Sequence, residues 1–327
     1  VVTEYEAANT NHSQYFGVQI MRLPPSNQND NMYVSTYTYT TEWHRLKNSV
    51  TTEYLGGTPV VSTQNNYYNN NPLLASQTKT TTSDGESIIS KTFYPDDVTA
   101  TSSLGADNLT STEKAAIDKL KSGVQHRIAE AIQTETYKDE NKNGIAEAGE
   151  LLSRQRTNYK EWVTNLILPE YVQTALESNT LENRIQFQSY YTNGNVKEVK
   201  KTDGTTIVYI WGYQQQYPIA KIENATYTQI SSQVSNLQSK SNLDDDTCLD
   251  SGSCDEKNLR TALTTLRNSV PNAMVTTYTY NPLVGVTSVT DPKGYTMYYE
   301  YDEFNRLEQV KDDAGYVLSE NEYHYKN

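Results

Sequence analysis

This sequence predicts an all-β chain of antiparallel hairpins, and three observations carry that prediction. The aromatic residues are almost all tyrosine, 27 Tyr against 4 Phe and 3 Trp, and the mean hydropathy is −0.74. Tyr and Thr favour pleated surfaces that are apolar on one side and wet on the other, which is not a compact Leu/Phe core. Gly-containing turn pairs separate runs that alternate in polarity, the short-range signature of hairpins. A Tyr-to-Tyr spacing then recurs, with steps of 21 for Tyr280 to Tyr301 and 22 for both Tyr301 to Tyr323 and Tyr191 to Tyr213. A looser copy runs from Tyr68 to Tyr94, a step of 26. Each copy has an aromatic start, a corner of Asn, Asp or Pro, a strand, a Gly turn and a returning strand. A lone hairpin cannot bury its face, whereas stacked copies share one sheet. On this reading each Tyr packs on its counterpart in the next repeat.

The elements follow in chain order. Residues 1–103 read as strands and turns, with hairpins at Gly56-Gly57 and Asp84-Gly85. Residues 104–123 form a helical insertion. Thr110 stands three residues before Glu113, a capping box, and Ala116, Ile117 and Leu120 give helical spacing over about 111–122, with Gly123 placed to stop it. Residues 124–225 return to β pattern, with Asn193-Gly194 and Asp203-Gly204 as hairpin signals. Residues 226–273 read as an inserted αα-hairpin, with stripes of Ile230, Val234 and Leu237, then Leu259, Leu263, Leu266 and Val270. Residues 274–327 are β again, and the chain is expected to be truncated at both ends. Its length of 327 residues fits two or three ordinary domains or one large β architecture.

The net charge of −13 opposes binding to nucleic acid or to an anionic membrane surface. No run approaches the roughly 20 apolar residues of a membrane span, so membrane insertion is not expected. The opening residues show no signal-peptide pattern. Cys248 and Cys254 are the two cysteines. They lie in "DDDTCLDSGSCDE", with no His nearby to complete a zinc site. A local disulfide, implying an oxidising compartment, is preferred over two reduced thiols in a polar loop.

One motif points to chemistry. "DENKNGIAEAGE" fits the twelve-residue calcium loop in full. Asp139, Asn141 and Asn143 would bind through side chains, Ile145 through its carbonyl, Glu147 through its side chain or a water, and Glu150 as a bidentate carboxylate, with Gly144 at the sharp turn. Structural Ca²⁺ is therefore the one expected cofactor. The flanking runs read as strands and not as the helices of an EF-hand. The alternative is a long hairpin loop whose Asn, Gly and Asp supply turn geometry alone. The acidic loop around the cysteines matches no defined site and reads as a solvated linker. No nucleophile elbow, zinc-protease motif or phosphate-binding glycine loop is present, so no enzyme is expected.

The stretch "YDEFNRLEQVKDDAG" resembles the tyrosine-aspartate (YD) repeat of the Rhs proteins, bacterial relatives of the Tc-toxin shell and the teneurin barrel. "YTNGNVKEVKKTDGTTIVYIW" and "YNPLVGVTSVTDPKGYTMYYEYDEFNRL" are similar to the YD segments of Rhs-like proteins of Bacteroidetes. The resemblance is strong over about 185–327 and one of pattern alone over 1–180. It implies a hollow, curling β-shell that encapsulates or presents a C-terminal toxin or effector. The partners it implies are the rest of the shell and that effector. It also implies a secreted or cell-surface protein, with export by a type IX translocon or display on a surface carrier. The family's self-cleaving aspartates have no counterpart here. The competing expectation is a cell-surface adhesin or carbohydrate-binding module that uses exposed Tyr faces.

Overall fold

The computed structural model describes residues 1–8, 13–22, 32–41, 43–69, 73–105, 107–122, 125–245 and 254–324. The chain is all-β and antiparallel, with one short helix and one αα-hairpin inserted. It divides into two compact units, one of Val1–Lys160 with Gln173–Glu182, the other of Glu161–Val172 with Asn183–Asn327.

The first unit contains β1 (Val2–Ala7), β2 (Ser13–Arg22), β3 (Met32–Thr41), β4 (His44–Leu55), β5 (Thr58–Tyr68), β6 (Ala75–Thr81), β7 (Ser87–Phe93), α1 (Ser111–Lys121) and β8 (Gln133–Lys138). β9 (Leu151–Val163) and β10 (Leu166–Leu176) contribute residues to both units. The ladder runs β1–β4–β5–β6–β7–β8–β9, antiparallel throughout. β2 and β3 form a separate two-stranded ribbon. On one face of the ribbon the Tyr37 ring lies over Gly17, where a Cβ would come 2.5 Å from Cζ. The Tyr39 hydroxyl donates to that of Tyr37 at 3.1 Å. On the other face Phe16, Val18, Ile20 and Val34 are exposed.

α1 begins as its sequence predicts. The Glu113 amide donates to Thr110 Oγ1 at 3.2 Å, and the Thr110 amide donates to Glu113 Oε2 at 2.7 Å. Ala116, Ile117 and Leu120 are buried. Gly123 lies outside the described residues. The preceding segment is tied to β8 and β9 by buried polar groups. Gln133 Nε2 donates to the Leu104 carbonyl at 3.0 Å and to Glu135 at 2.8 Å. Arg156 donates to Gln133 Oε1 at 2.7 Å and to the Asp107 carbonyl. Each of these desolvated groups has a partner, as burial requires.

The second unit holds β11 (Glu182–Tyr190) from Asn183 onward, β12 (Val196–Lys201), β13 (Thr206–Gly212), β14 (Tyr217–Glu223), α2 (Tyr227–Leu243), α3 (Asp255–Ser269), β15 (Met274–Asn281), β16 (Gly285–Thr290), β17 (Thr296–Tyr301), β18 (Leu307–Asp312) and β19 (Val317–Glu320). Consecutive strands from β11 to β19 pair antiparallel. Both predicted helix stripes are buried in one cluster with Val208, Ile210, Ala220, Ile222 and Val275. α2 and α3 thus cover one face of β13–β15. Gly212 permits the approach of α2, because a Cβ there would overlap Ser241 and come 2.7 Å from Ile219.

One turn recurs. In residues 82–86, 191–195, 201–205, 291–295, 302–306 and 312–316 the first amide donates to the fifth carbonyl, and the fourth amide donates to the first carbonyl. The fourth residue is left-handed each time: Gly85, Gly194, Gly204, Gly294, Asn305 (φ 59°) and Gly315. Asp291, Asp302 and Asp312, at the first position, accept from the third and fifth amides. Asp84, Asn193 and Asp203, at the third, accept from the fifth. The side chain holds its neighbours right-handed, so only the fourth residue must turn left. Gly56-Gly57 differs, with both residues at positive φ in a two-residue turn. The Tyr-Asp corner at 302–306 and the Gly turns are therefore one structure, used at both ends of a hairpin.

Tyrosine hydroxyls complete the repeat. Tyr68 donates to the Leu46 carbonyl (2.7 Å), Tyr190 to Pro169 (2.9 Å), Tyr280 to Pro218 (3.0 Å) and Tyr301 to Val286 (3.0 Å). Each of these tyrosines adjoins a register irregularity, where the ladder shifts. Tyr94 reaches Ala75 at 3.2 Å and Tyr323 reaches Leu307 at 2.9 Å in the same way. Ring contact between repeats is found for Tyr213 and Tyr280, with centroids 5.5 Å apart. For Tyr301 and Tyr323 the tie is the hydroxyl to a carbonyl, and at Tyr301 the shifted register brings the phenol to it.

Candidate functional site

The 139–150 loop joins β8 to β9. Asp139 prolongs β8, its amide donating to the Ser87 carbonyl at 3.0 Å. Its side chain is fully buried, and Lys79, from β6, donates to Oδ2 at 2.7 Å. The Gly144 amide donates to the same carboxylate at 3.1 Å. The Lys79 ammonium holds the Asp139 carboxyl below its usual range, helped by the Gly144 amide and opposed by burial. Lys142 (φ 59°) and Gly144 (φ 78°) are left-handed, which brings the loop back over itself.

The remaining predicted ligands lie along the same loop. The Asn143 amide donates to Asn141 Oδ1 at 2.9 Å, and the Ile145 amide donates to Asn143 Oδ1 at 2.7 Å. Both Asn side-chain amides donate to Glu147, at 3.0 and 2.9 Å. Glu150 closes a short 3-10 turn (Ala148–Glu150). Its Oε1 accepts from the Glu140 and Asn141 amides at 3.0 and 3.3 Å. Its Oε2 is buried with no hydrogen-bond partner. Among the described residues no group of three or more His, Cys, Asp or Glu forms a metal-binding arrangement. The flanks are strands, as the sequence reading had them. Sequence reasoning missed Lys79. It stands 60 positions before Asp139, and only the ladder brings β6 beside the loop.

Two further features bear on function. Cys254, the N-cap of α3, is disulfide-bonded, and Cys248 lies outside the described residues. Asp244, at the start of the acidic loop, is buried and accepts from the Tyr213 hydroxyl at 2.5 Å. That carboxylate is therefore a structural anchor, not part of a solvated linker. On the strand face formed by Ile207, Tyr209 and Trp211, opposite in strand alternation to Val208 and Ile210, a groove of about 460 Å³ opens. Ile185, Phe187, Val199 and Lys201 also line it. The indole of Trp211 donates to the Val196 carbonyl at 2.8 Å.

No protein-family model and no curated protein matches the sequence. Among solved structures, the crystal structure of TcdB2-TccC3-Cdc42 is 12% identical, with a TM-score of 0.34 over 83% of this chain and 10% of that one. TcdB2-TccC3-TEV is 12% identical, with a TM-score of 0.34 over 85% and 11%. The Photorhabdus luminescens Tc holotoxin pore is 11% identical, with a TM-score of 0.29 over 93% and 14%. The chain thus spans 10% to 14% of the length of these three chains. Similarity at this level assigns neither family nor function.

Proposed function

We propose that this chain is a non-catalytic wall segment of an Rhs-like, repeat-built β structure that encloses or presents a C-terminal effector. The observation that carries the reading is the recurring turn with its tyrosine tie. Among the described residues one five-residue loop appears six times, and phenol hydroxyls at the end of a returning strand fasten it to a carbonyl of the outgoing strand of the same hairpin. Such a unit extends a sheet by repetition and is suited to wall-building. The disulfide at Cys254 supports a secreted or surface-displayed protein. The rest of the shell, the effector and an export translocon or surface carrier are the partners on this reading. Nucleic acid is not among them, given the charge. No helix among the described residues is long and apolar enough to cross a membrane.

Protease protection tests the reading. The protein is produced with the flanking sequence its gene encodes, and digested before and after its sheet is opened with urea. An effector segment that survives only before opening supports the proposal, and equal digestion in both states would refute it. The groove carrying Phe187, Tyr209 and Trp211 favours a second reading, a carbohydrate-binding adhesin. A glycan-array signal lost in Trp211→Ala would decide for it.

A further inference from the structure

We propose that the 139–150 loop is a calcium site in which Lys79 is a built-in competitor, its ammonium standing in for the ion until calcium displaces it. Three observations converge. The loop presents an oxygen at every ligand position of the twelve-residue pattern, on Asp139, Asn141, Asn143, Ile145, Glu147 and Glu150. A positive group from outside the loop already sits at the first of these positions. Lys79 Nζ is 2.7 Å from Asp139 Oδ2 and 3.2 Å from where a Cβ on Gly144 would lie, so it rests over the sharp turn. At the last position, which the pattern uses through both oxygens, Glu150 has Oε2 buried without a donor while Oε1 takes two amides. A desolvated carboxylate oxygen with no donor is costly, and a cation beside it removes that cost.

The electrostatics set the direction of exchange. Asp139, Glu147 and Glu150 place three carboxylates along the loop, not gathered into one cluster in this structure, and Lys79 pairs with Asp139. A divalent ion wants six to eight oxygens at about 2.3–2.6 Å, and it brings twice the charge of the ammonium. The Lys79 side chain is 17% exposed, and a lysine stem is long and flexible enough to carry its ammonium out to solvent. The Asn141 and Asn143 side chains would then turn their carbonyl oxygens from backbone amides to the ion.

The test is calorimetric titration of the 327-residue protein, stripped with chelator, with CaCl₂. Lys79→Gln keeps a donor at that place and removes the charge. It is expected to bind one Ca²⁺ at least about tenfold tighter than the native chain, and Lys79→Gln with Glu150→Gln is expected to lose that binding. Asn141→Asp tests the same idea at an exposed position with Lys79 intact, and is expected to tighten binding as well. Equal or weaker affinity in Lys79→Gln, or no effect of Asn141→Asp, would overturn the proposal. So would an absence of binding in both variants with the circular dichroism of the native fold.

Discussion

Tyrosine does in this chain what phenylalanine cannot. At Tyr301 the ring covers Gly285, where a Cβ would come 2.6 Å from Cζ, and the hydroxyl then meets the Val286 carbonyl at 3.0 Å. Tyr301→Phe keeps the ring and leaves that carbonyl unanswered. We expect it to lower stability by about 1 kcal/mol, read as a shift in the urea midpoint. An unchanged midpoint would show that water replaces the hydroxyl at no cost. The Tyr period is legible in the sequence, because spacing survives whatever the rings do. The destination of each hydroxyl is not, because it depends on register shifts that no residue type announces. Lys79 is hidden for a related reason. Its partner Asp139 is a neighbour only once β6, β7 and β8 have paired.

Between residues and molecule, the elements divide into those encoded locally and those set by partners. α1, α2 and α3 are local, since their caps and apolar stripes lie within a few residues of one another. Leu259 is fully buried where α3 meets the sheet. Leu259→Ala should cost about 3 kcal/mol, with the larger part appearing as faster amide exchange in α2 and α3 than in β16–β18. Uniform loss of protection across the second unit would mean that the helices and the sheet unfold as one. The turns show the opposite case. Asn193-Gly194 and Asp203-Gly204 mark hairpins correctly, yet the loops span five residues, because the Asn or Asp side chain accepts an amide and stays right-handed. The equivalence of Asp302–Arg306 to these loops was obscured because Asn305 stands where the others have Gly.

At the scale of the molecule, ionisation bounds the pH range of the fold. Asp302 is held below the ordinary carboxylate range chiefly by Arg306, and Asp139 by Lys79. Asp203 is lowered chiefly by the Thr205 amide, and Asp84 by the Thr82 hydroxyl. Their contribution is whole above the unfolded value of 3.8 and is lost as pH falls below it through the folded values. Burial pushes the phenols of Tyr137, Tyr159, Tyr191, Tyr213 and Tyr280 above 10.0. Their contribution is whole below pH 10 and is lost as pH rises toward the folded values. Urea midpoints should therefore be flat through neutrality, dropping below about pH 4 and above about pH 10. On a jump to high pH, tyrosinate absorbance should rise in two phases, the slower following loss of circular dichroism. A single fast phase would show the phenols open to solvent. The hairpin architecture and the αα insertion were legible at this scale. The boundary between the two units was not, since it falls within β9 and β10, where strand pattern continues unbroken.

The order of pairing has a kinetic consequence. Most ladder contacts join strands that follow one another directly, so most closures need only a short loop and are fast. Besides the β2–β3 ribbon that separates β1 from β4, two helical insertions break that rhythm: β7 ends at Phe93 and β8 begins at Gln133, while β14 ends at Glu223 and β15 begins at Met274. The chain leaving a ribosome could zip each hairpin as it emerges, then wait at these two gaps until the inserted helices draw the next strand home.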